Sequence, residues 1–140
     1  MKVYAVLDTN VLVSALLSRH NDSATVQVVD YLFSGYFIPL LNEEIFSEYY
    51  TVLHRRKFNF PELSVNKILL GIRSKGVFLH RTKSDFNFPD SDDAVFYEVA
   101  LSKENSFLVT GNVKHFPATS IIVTPAEFLS ILQQRSEVGE

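Results

Sequence analysis

Four separate places in the sequence carry carboxylate or amide oxygens near predicted strand ends or early in predicted helices. They are Asp8; Glu48; Asp90, Asp92 and Asp93; and Asn112. Hard oxygen donors without cysteine or histidine are the ligands that suit Mg²⁺ or Mn²⁺. The four places are far apart along the chain, so only the fold could gather them. If it does, the chemistry expected there is that of a divalent cation held on carboxylates.

Asp8 directly follows a short apolar run, residues 3–7, and a second apolar run begins at Val11. A continuous run rich in valine is typical of a strand buried on both faces in a parallel sheet. Thr9 or Asn10 is then expected to cap the following helix. Asp8 is therefore predicted at the carboxyl end of a central strand, where open α/β sheets bind their ligands.

Each of these polar groups also has a purely structural interpretation. Asp8 alone could accept hydrogen bonds from the next helix, and acids in a first helical turn favour the helix dipole. Glu48 alone is typical of a solvated helix acid, and residues 110–112 alone are typical of a turn. Their joint placement at strand ends and helix starts favours a site over four independent structural roles.

Alternating strands and helices would bring these residues together. The predicted strands are 3–7, 36–39, 77–79, 106–109 and 121–123, and the predicted helices are 11–17, 24–33, 43–57, 63–74, 90–101 and 126–133. Asn42 is the expected cap of the third helix, and Gly76 the expected left-handed residue after the fourth. The predicted fold is a three-layer α/β/α sandwich around a mainly parallel sheet of about five short strands.

Length and composition set the remaining limits. The 140 residues predict one domain, 1–134, followed by a frayed polar tail, 135–140. No apolar stretch approaches the roughly 20 residues of a membrane span, and the N-terminus lacks a signal-peptide layout. Without cysteine there is no thiol or zinc–sulfur chemistry, and a cytoplasmic protein is expected. The formal charge of −3 disfavours nucleic-acid binding through bulk positive charge, but not through metal ions.

Four motifs in order resemble the PIN-domain family, specifically the small prokaryotic toxins of type II toxin–antitoxin pairs. The motifs are Leu7-Asp8-Thr9-Asn10-Val11-Leu12; Glu48 followed by Val52-Leu53; Pro89-Asp90-Ser91-Asp92-Asp93-Ala94; and Leu108-Val109-Thr110-Gly111-Asn112 with Lys114-His115-Phe116-Pro117. The resemblance extends over nearly the whole chain, and the four motifs together are far more specific than any one of them.

The resemblance implies a metal-dependent ribonuclease with acids around one or two Mg²⁺ or Mn²⁺ ions. Carried over by motif, the catalytic residues are Asp8, Glu48, Asp93 and Asn112. The first three would hold the metal, with Asp93 chosen as the acid directly before Ala94. Asp90 or Asp92 could replace Asp93, and helical periodicity does not choose between Asp92 and Asp93. Asn112 stands where the wider family often has Asp, which lowers the negative charge and weakens the case for a tightly held second ion.

The resemblance also implies partners. They are an RNA substrate, cleaved to leave a 5′-phosphate and a 3′-hydroxyl, a second copy in a homodimer, and a cognate antitoxin; no membrane is implied. Thr110 and Lys114 are the expected substrate contacts. A second basic group, residues 54–57, ends the third predicted helix, where cations favour the helix dipole without any role in binding.

Two other functions remain compatible with the sequence. A haloacid-dehalogenase-like phosphatase also has Asp at the end of its first strand, but its Asp-x-Asp-x-Thr pattern is not met, since Asn10 and Leu12 occupy the later positions. A catalytically weak or inactive PIN-like binding module is the other alternative, and Asn112 favours it.

Overall fold

A computed structural model describes residues 2–137 of the chain. The strands are β1 (Tyr4–Leu7), β2 (Ile38–Leu41), β3 (Val77–Phe78), β4 (Ser106–Val109) and β5 (Ile122–Val123). The α-helices are α1 (Thr9–Leu17), α2 (Ala24–Phe33), α3 (Glu43–Leu53), α4 (Glu62–Lys75), α5 (Ala94–Ala100) and α6 (Pro125–Glu137). Short 3₁₀ turns lie at Ser91–Asp93 and Val113–His115.

The strands form one parallel sheet in the order β3-β2-β1-β4-β5. From β1 the chain adds β2 and β3 on one side, and then returns to add β4 and β5 on the other. The direction of winding therefore reverses between β1 and β4, which pair with Leu7 opposite Val109. This reversal creates a crevice at the carboxyl ends of β1 and β4, the usual ligand position in such sheets.

Helices cover both faces of the sheet, which confirms the predicted α/β/α sandwich. Ala5 and Val6 point to opposite faces of β1, and both are completely buried. On one side α5 packs against β1, β2 and β4. The ring of Phe128 in α6 packs against Phe37 and Phe107. The central strand is apolar throughout because neither of its faces meets water.

Several element boundaries differ from the sequence prediction. The second strand begins at Ile38, two residues later than predicted, because the preceding turn passes through Gly35 with φ +81° and leaves Tyr36 exposed. The third helix ends at Leu53 rather than near residue 57, and the amide of Arg55 closes the turn by bonding to the Val52 oxygen. The last helix continues to Glu137, so residues 135–137 are helical, while 138–140 of the predicted tail lie outside the described residues.

The predicted helix caps give mixed results. Asn42 caps α3 as expected, since its Oδ1 accepts a hydrogen bond from the Ile45 amide at 2.9 Å. The predicted capping of α1 by Thr9 or Asn10 is wrong. Asp8 occupies the cap position and makes no side-chain cap bond, because Thr9, Asn10 and Asp8 all bond to side chains elsewhere.

The predicted left-handed conformation of Gly76 is also wrong. Its φ of −80° and ψ of 159° are extended, because the chain passes directly from α4 into β3. Close packing requires glycine there instead. A Cβ atom at this position would lie 2.5 Å from the backbone oxygen of Ile72 and 2.6 Å from Cδ2 of Leu41.

Replacing Gly76 by alanine should therefore lower the free energy of unfolding by about 1–3 kcal/mol, as overpacking does elsewhere. Urea unfolding followed by circular dichroism measures the change. Gly111→Ala is the matched control, because its Cβ would meet only Oδ1 of Asn10 at 3.6 Å, an ordinary contact. Equal stability of Gly76→Ala and the unsubstituted protein would contradict the packing argument.

Candidate active site

Asp8 lies directly after β1, and only 6 % of the residue is exposed. Its Oδ2 accepts hydrogen bonds from Thr110 Oγ1 at 2.7 Å and from Asn10 Nδ2 at 3.0 Å. Both donors are neutral. Burial raises the pKa of Asp8, and the hydrogen bond from Thr110 is the largest opposing effect. Asp8 is thus a buried carboxylate oriented by two neutral side chains.

The loop after β4 is connected to Asp8 by further hydrogen bonds. Thr110 Oγ1 accepts a bond from the Asn112 amide at 2.9 Å, and the Gly111 amide donates to Asn10 Oδ1 at 3.2 Å. Thr110 is completely buried. Its hydroxyl therefore orients Asp8, and its contact with a substrate stays a prediction.

Glu48 lies on α3 and is half-buried. Its Oε2 accepts a hydrogen bond from Thr9 Oγ1. The next residue, Tyr49, is buried and donates its phenolic hydroxyl to the Leu7 backbone oxygen at 2.5 Å. These successive residues of α3 bind the residues on either side of Asp8. Burial raises the pKa of Glu48, the bond from Thr9 opposes it, and the charge of Asp8 adds to it.

Asp93 ends the 3₁₀ turn before α5, and its side chain is 18 % exposed. Its Oδ2 is buried without a hydrogen-bond partner, and His115 Nδ1 lies 3.5 Å from it, an ion-pair distance too long for a good hydrogen bond. Burial raises the pKa of Asp93 to about 6, followed by the charges of Asp8 and Asp90. The charge of Asp8 therefore acts on Asp93, although the two residues are 85 positions apart in the sequence (93 − 8).

Asp90 and Asp92 lie on the exposed side of Asp93. Asp90 Oδ1 accepts a hydrogen bond from the Asp92 amide at 3.0 Å and so caps the turn, the structural role expected of one member of this group. With Glu48 and Asp93, both residues line an open cavity of about 520 Å³. Burial thus distinguishes Asp93 from its neighbours, which periodicity did not.

Asn112 and Lys114 are both exposed on the loop after β4. The bonds that Asn10 and Tyr49 make around Asp8 were not predicted from the sequence. The bond from Asn10 could have been, since an amide two residues after an acid can bind that acid locally. Tyr49 is buried on α3 with Ile45 and Leu53, so its spacing indicates packing and gives no sign of its hydrogen bond to Leu7.

The oxygens of Asp8, Glu48 and Asp93 fit a hard divalent cation in their chemistry. Asp93 Oδ2 has no hydrogen-bond partner, and both donors to Asp8 use its other oxygen, Oδ2, so Oδ1 accepts from neither. A cation would offset both the burial and the repulsion by neighbouring acids that raise the pKa of Asp93. Within residues 2–137, however, no three Asp, Glu, His or Cys side chains are grouped closely enough to hold a metal ion, and Glu48 is bonded to Thr9.

Residues 4–114 match the PIN domain, a segment that runs from β1 to Lys114 and contains all the candidate acids. The chain therefore belongs to the PIN domain family. PIN domains are typically nucleases that act on RNA or other nucleic acids, and these nucleases generally use divalent metals. Among curated proteins, none matches this chain. No helix within residues 2–137 has the length and apolar character needed to cross a membrane.

In the metal-free protein, Asp93→Asn should raise the melting temperature at neutral pH, because it removes a charge that is partly buried and is also repelled by Asp8. A pKa raised from 3.8 to about 6 means that folding favours the protonated form. This contribution to stability is complete below about pH 4 and is lost as the pH rises through about 6. Above about pH 6.5 the melting temperature of the variant should therefore be a few degrees higher than that of the unsubstituted protein. The difference between the two melting temperatures should shrink towards pH 4.

Thermal denaturation in EDTA across this pH range measures the difference. Asp85→Asn is the control, since Asp85 is an exposed loop acid and the substitution should leave the curve unchanged. A melting temperature for Asp93→Asn that equals the unsubstituted value at every pH would show that the repulsion is absent.

Proposed function

We propose that this chain is a metal-dependent endoribonuclease that hydrolyses RNA phosphodiesters with Mg²⁺ or Mn²⁺. The observation that carries the proposal is the pair of acids Asp8, which is buried directly after β1, and Asp93, whose side chain is 18 % exposed at the start of α5. Asp93 keeps a buried oxygen without a hydrogen bond and has a pKa raised to about 6. A group that served only to stabilise the fold would have its buried oxygen satisfied. Membership of a nuclease family supports the same function.

Asp8 and Asp93 would hold the ion directly, and Glu48 would hold it through a water or after releasing Thr9. A divalent ion at this position supplies the positive charge that activates a water and offsets negative charge on the phosphate. Thr110 and Asn10 keep the carboxylate of Asp8 oriented towards the ion, since their bonds to it are already formed. The products would carry a 5′-phosphate and a 3′-hydroxyl.

Asn112 and Lys114 would act from the loop after β4. The Asn112 amide is bonded to Thr110, which sets the loop next to Asp8. Its neutral side-chain oxygen can orient a water or the substrate without adding charge, so we propose one tightly held ion rather than two. Lys114 is exposed and would contact a phosphate of the RNA.

A catalytically weak or inactive PIN-like binding module is the second candidate. It is favoured by Asn112 and by the absence, across the described residues 2–137, of three acid or imidazole side chains grouped around one point. The two candidates differ in whether metal binding and cleavage accompany RNA binding.

With Mn²⁺, the purified protein is expected to cleave end-labelled single-stranded RNA, and EDTA is expected to abolish cleavage. Asp8→Asn and Asp93→Asn should each lower the rate about 100-fold or more, since loss of a ligand costs at least as much as loss of an outer-shell partner. Gel electrophoresis of the products measures the rate, and Asp85→Asn should cleave like the unsubstituted protein.

Thermal denaturation gives an independent measurement. Mn²⁺ should raise the melting temperature of the unsubstituted protein and not that of Asp8→Asn, because a ligand stabilises only the form that binds it. If no form cleaves RNA and Mn²⁺ shifts no melting temperature, the binding module is the better description.

We further propose that the enzyme is the toxin of a toxin–antitoxin pair, acting as a homodimer in the cytoplasm under the control of a cognate antitoxin. The support is the resemblance of its length and four motifs to small prokaryotic PIN toxins, together with its membership of the PIN family.

Induced expression of the unsubstituted protein in a bacterial host is expected to arrest growth. Cells that express Asp8→Asn are expected to keep growing, because arrest would require RNA cleavage. The product of the gene immediately upstream should restore growth and copurify with the protein. Light scattering should give twice the 15.9 kDa mass of one chain. Normal growth in a strain whose purified protein cleaves RNA would refute the toxin role and leave the nuclease proposal intact.

A further inference from the structure

The cavity beside the acids continues along α3 beyond the candidate metal ligands. Past Glu48 it is lined by Thr51 and Val52, and then by Arg55 just after the helix ends. Its volume of about 520 Å³ lies in the range of pockets that enclose whole ligands, roughly 300–1,000 Å³, and exceeds what one phosphodiester needs. The cavity therefore has room for more of a polymer than the bond to be cleaved.

Arg55 is the one cation that lines this cavity among the described residues. The other charged residues of its lining are acids: Glu44, Glu48, Asp90, Asp92 and Asp93. Even so, within residues 2–137 Arg55 forms no salt bridge with any of them. Arg81, by contrast, is paired with both Glu44 and Glu98. An arginine present only to neutralise the acids would be paired in the same way.

The neighbouring basic residues are arranged differently. His54 Nδ1 lies 2.7 Å from the Tyr50 backbone oxygen and Nε2 lies 3.6 Å from Glu62, while Lys57 Nζ lies 5.1 Å from the centre of the Phe58 ring. Arg56 is exposed and is not part of the cavity lining. The dipole of α3, which ends at Leu53, favours a cation at either Arg55 or Arg56, so it does not explain why Arg55 lines the cavity and Arg56 does not.

We propose that Arg55 binds a phosphate of the RNA strand away from the cleaved bond, so that the strand follows α3 from the acids to the end of the helix. This inference rests on the proposed nuclease function. At 1.5 Å rise per residue, Glu48 and Leu53 lie about 7.5 Å apart along the axis, and Arg55 lies somewhat further. That span corresponds to about two or three steps of a stacked strand at roughly 3.4 Å each. The planar guanidinium can bind a phosphate with two parallel hydrogen bonds.

The test compares Arg55→Gln with Arg56→Gln, a matched loss of one exposed charge at the adjacent position. Binding of a fluorescein-labelled ten-nucleotide RNA is measured by fluorescence anisotropy in EDTA, where metal-dependent cleavage cannot occur. Arg55→Gln should raise Kd about five- to tenfold and reduce the slope of log K against log salt by about 0.7. Arg56→Gln should stay within about twofold of the unsubstituted protein. The Kd of Arg55→Lys should lie between those of Arg55→Gln and the unsubstituted protein. Lysine keeps the positive charge but cannot form the two parallel hydrogen bonds of a guanidinium.

Two further measurements separate a directed contact from general attraction. A dinucleotide is too short to reach Arg55 from the acids, so the unsubstituted protein and Arg55→Gln should bind it equally. In cleavage of the longer RNA with Mn²⁺, Arg55→Gln should raise KM and leave kcat unchanged, because the contact lies away from the reacting bond.

Equal Kd values for Arg55→Gln and the unsubstituted protein on the ten-nucleotide RNA would overturn the proposal. An equal loss in Arg55→Gln and Arg56→Gln would overturn it as well, since that result describes diffuse attraction. Failure of the nuclease function looks different: the unsubstituted protein would bind RNA in an Arg55-dependent manner and cleave none of it.

Discussion

The burial of the Asp8 carboxylate between neutral donors is the interaction on which the rest of the site depends. Removing an ionised carboxylate from water is costly unless hydrogen bonds or a cation replace the lost solvent. Thr110 and Asn10 supply hydrogen bonds from the ends of two elements, and the remaining cost is visible as a raised pKa. Because Thr110 follows the residue paired with Leu7, the orientation of Asp8 depends on the register between β1 and β4.

The hydrogen bond between Tyr49 and Leu7, the residue before Asp8, also positions α3. The Leu7 oxygen lies at the end of a fully buried strand and would be costly to leave unpaired, and the Tyr49 hydroxyl satisfies it. Since Glu48 precedes Tyr49 on the helix, this bond also brings the Glu48 carboxylate towards Thr9. A requirement of folding, satisfaction of a buried carbonyl, thereby brings an acid from a distant helix to the candidate site.

The features that depend on neighbouring residues in the sequence were predicted correctly. The apolar run of β1, the parallel sheet and the Asn42 cap all follow from neighbouring residues, and the structure confirms them. The partners of Asp8, Thr9 and Asn10 could not be predicted, because a short polar side chain can bond to its own helix or to a residue 39 or 102 positions away. The close packing at Gly76 was missed for the same reason, since one of the atoms that a Cβ would meet there belongs to Leu41, 35 positions away (76 − 41).

The distribution of charge matters more than its total in a protein with a formal charge of −3. Asp8 and Asp93 together carry two negative charges when both are ionised, which is the charge that one divalent ion offsets. Glu48 adds a third charge, and an aspartate at position 112 would add a further one beside Thr110, whereas Asn112 adds an oxygen without a charge. With the pair neutralised in this way, an unpaired cation at Arg55 needs no help from a broad basic surface to attract a phosphate. The same arrangement would attract a strand less strongly when the ion is missing, so in the proposed site binding of metal and binding of RNA favour one another.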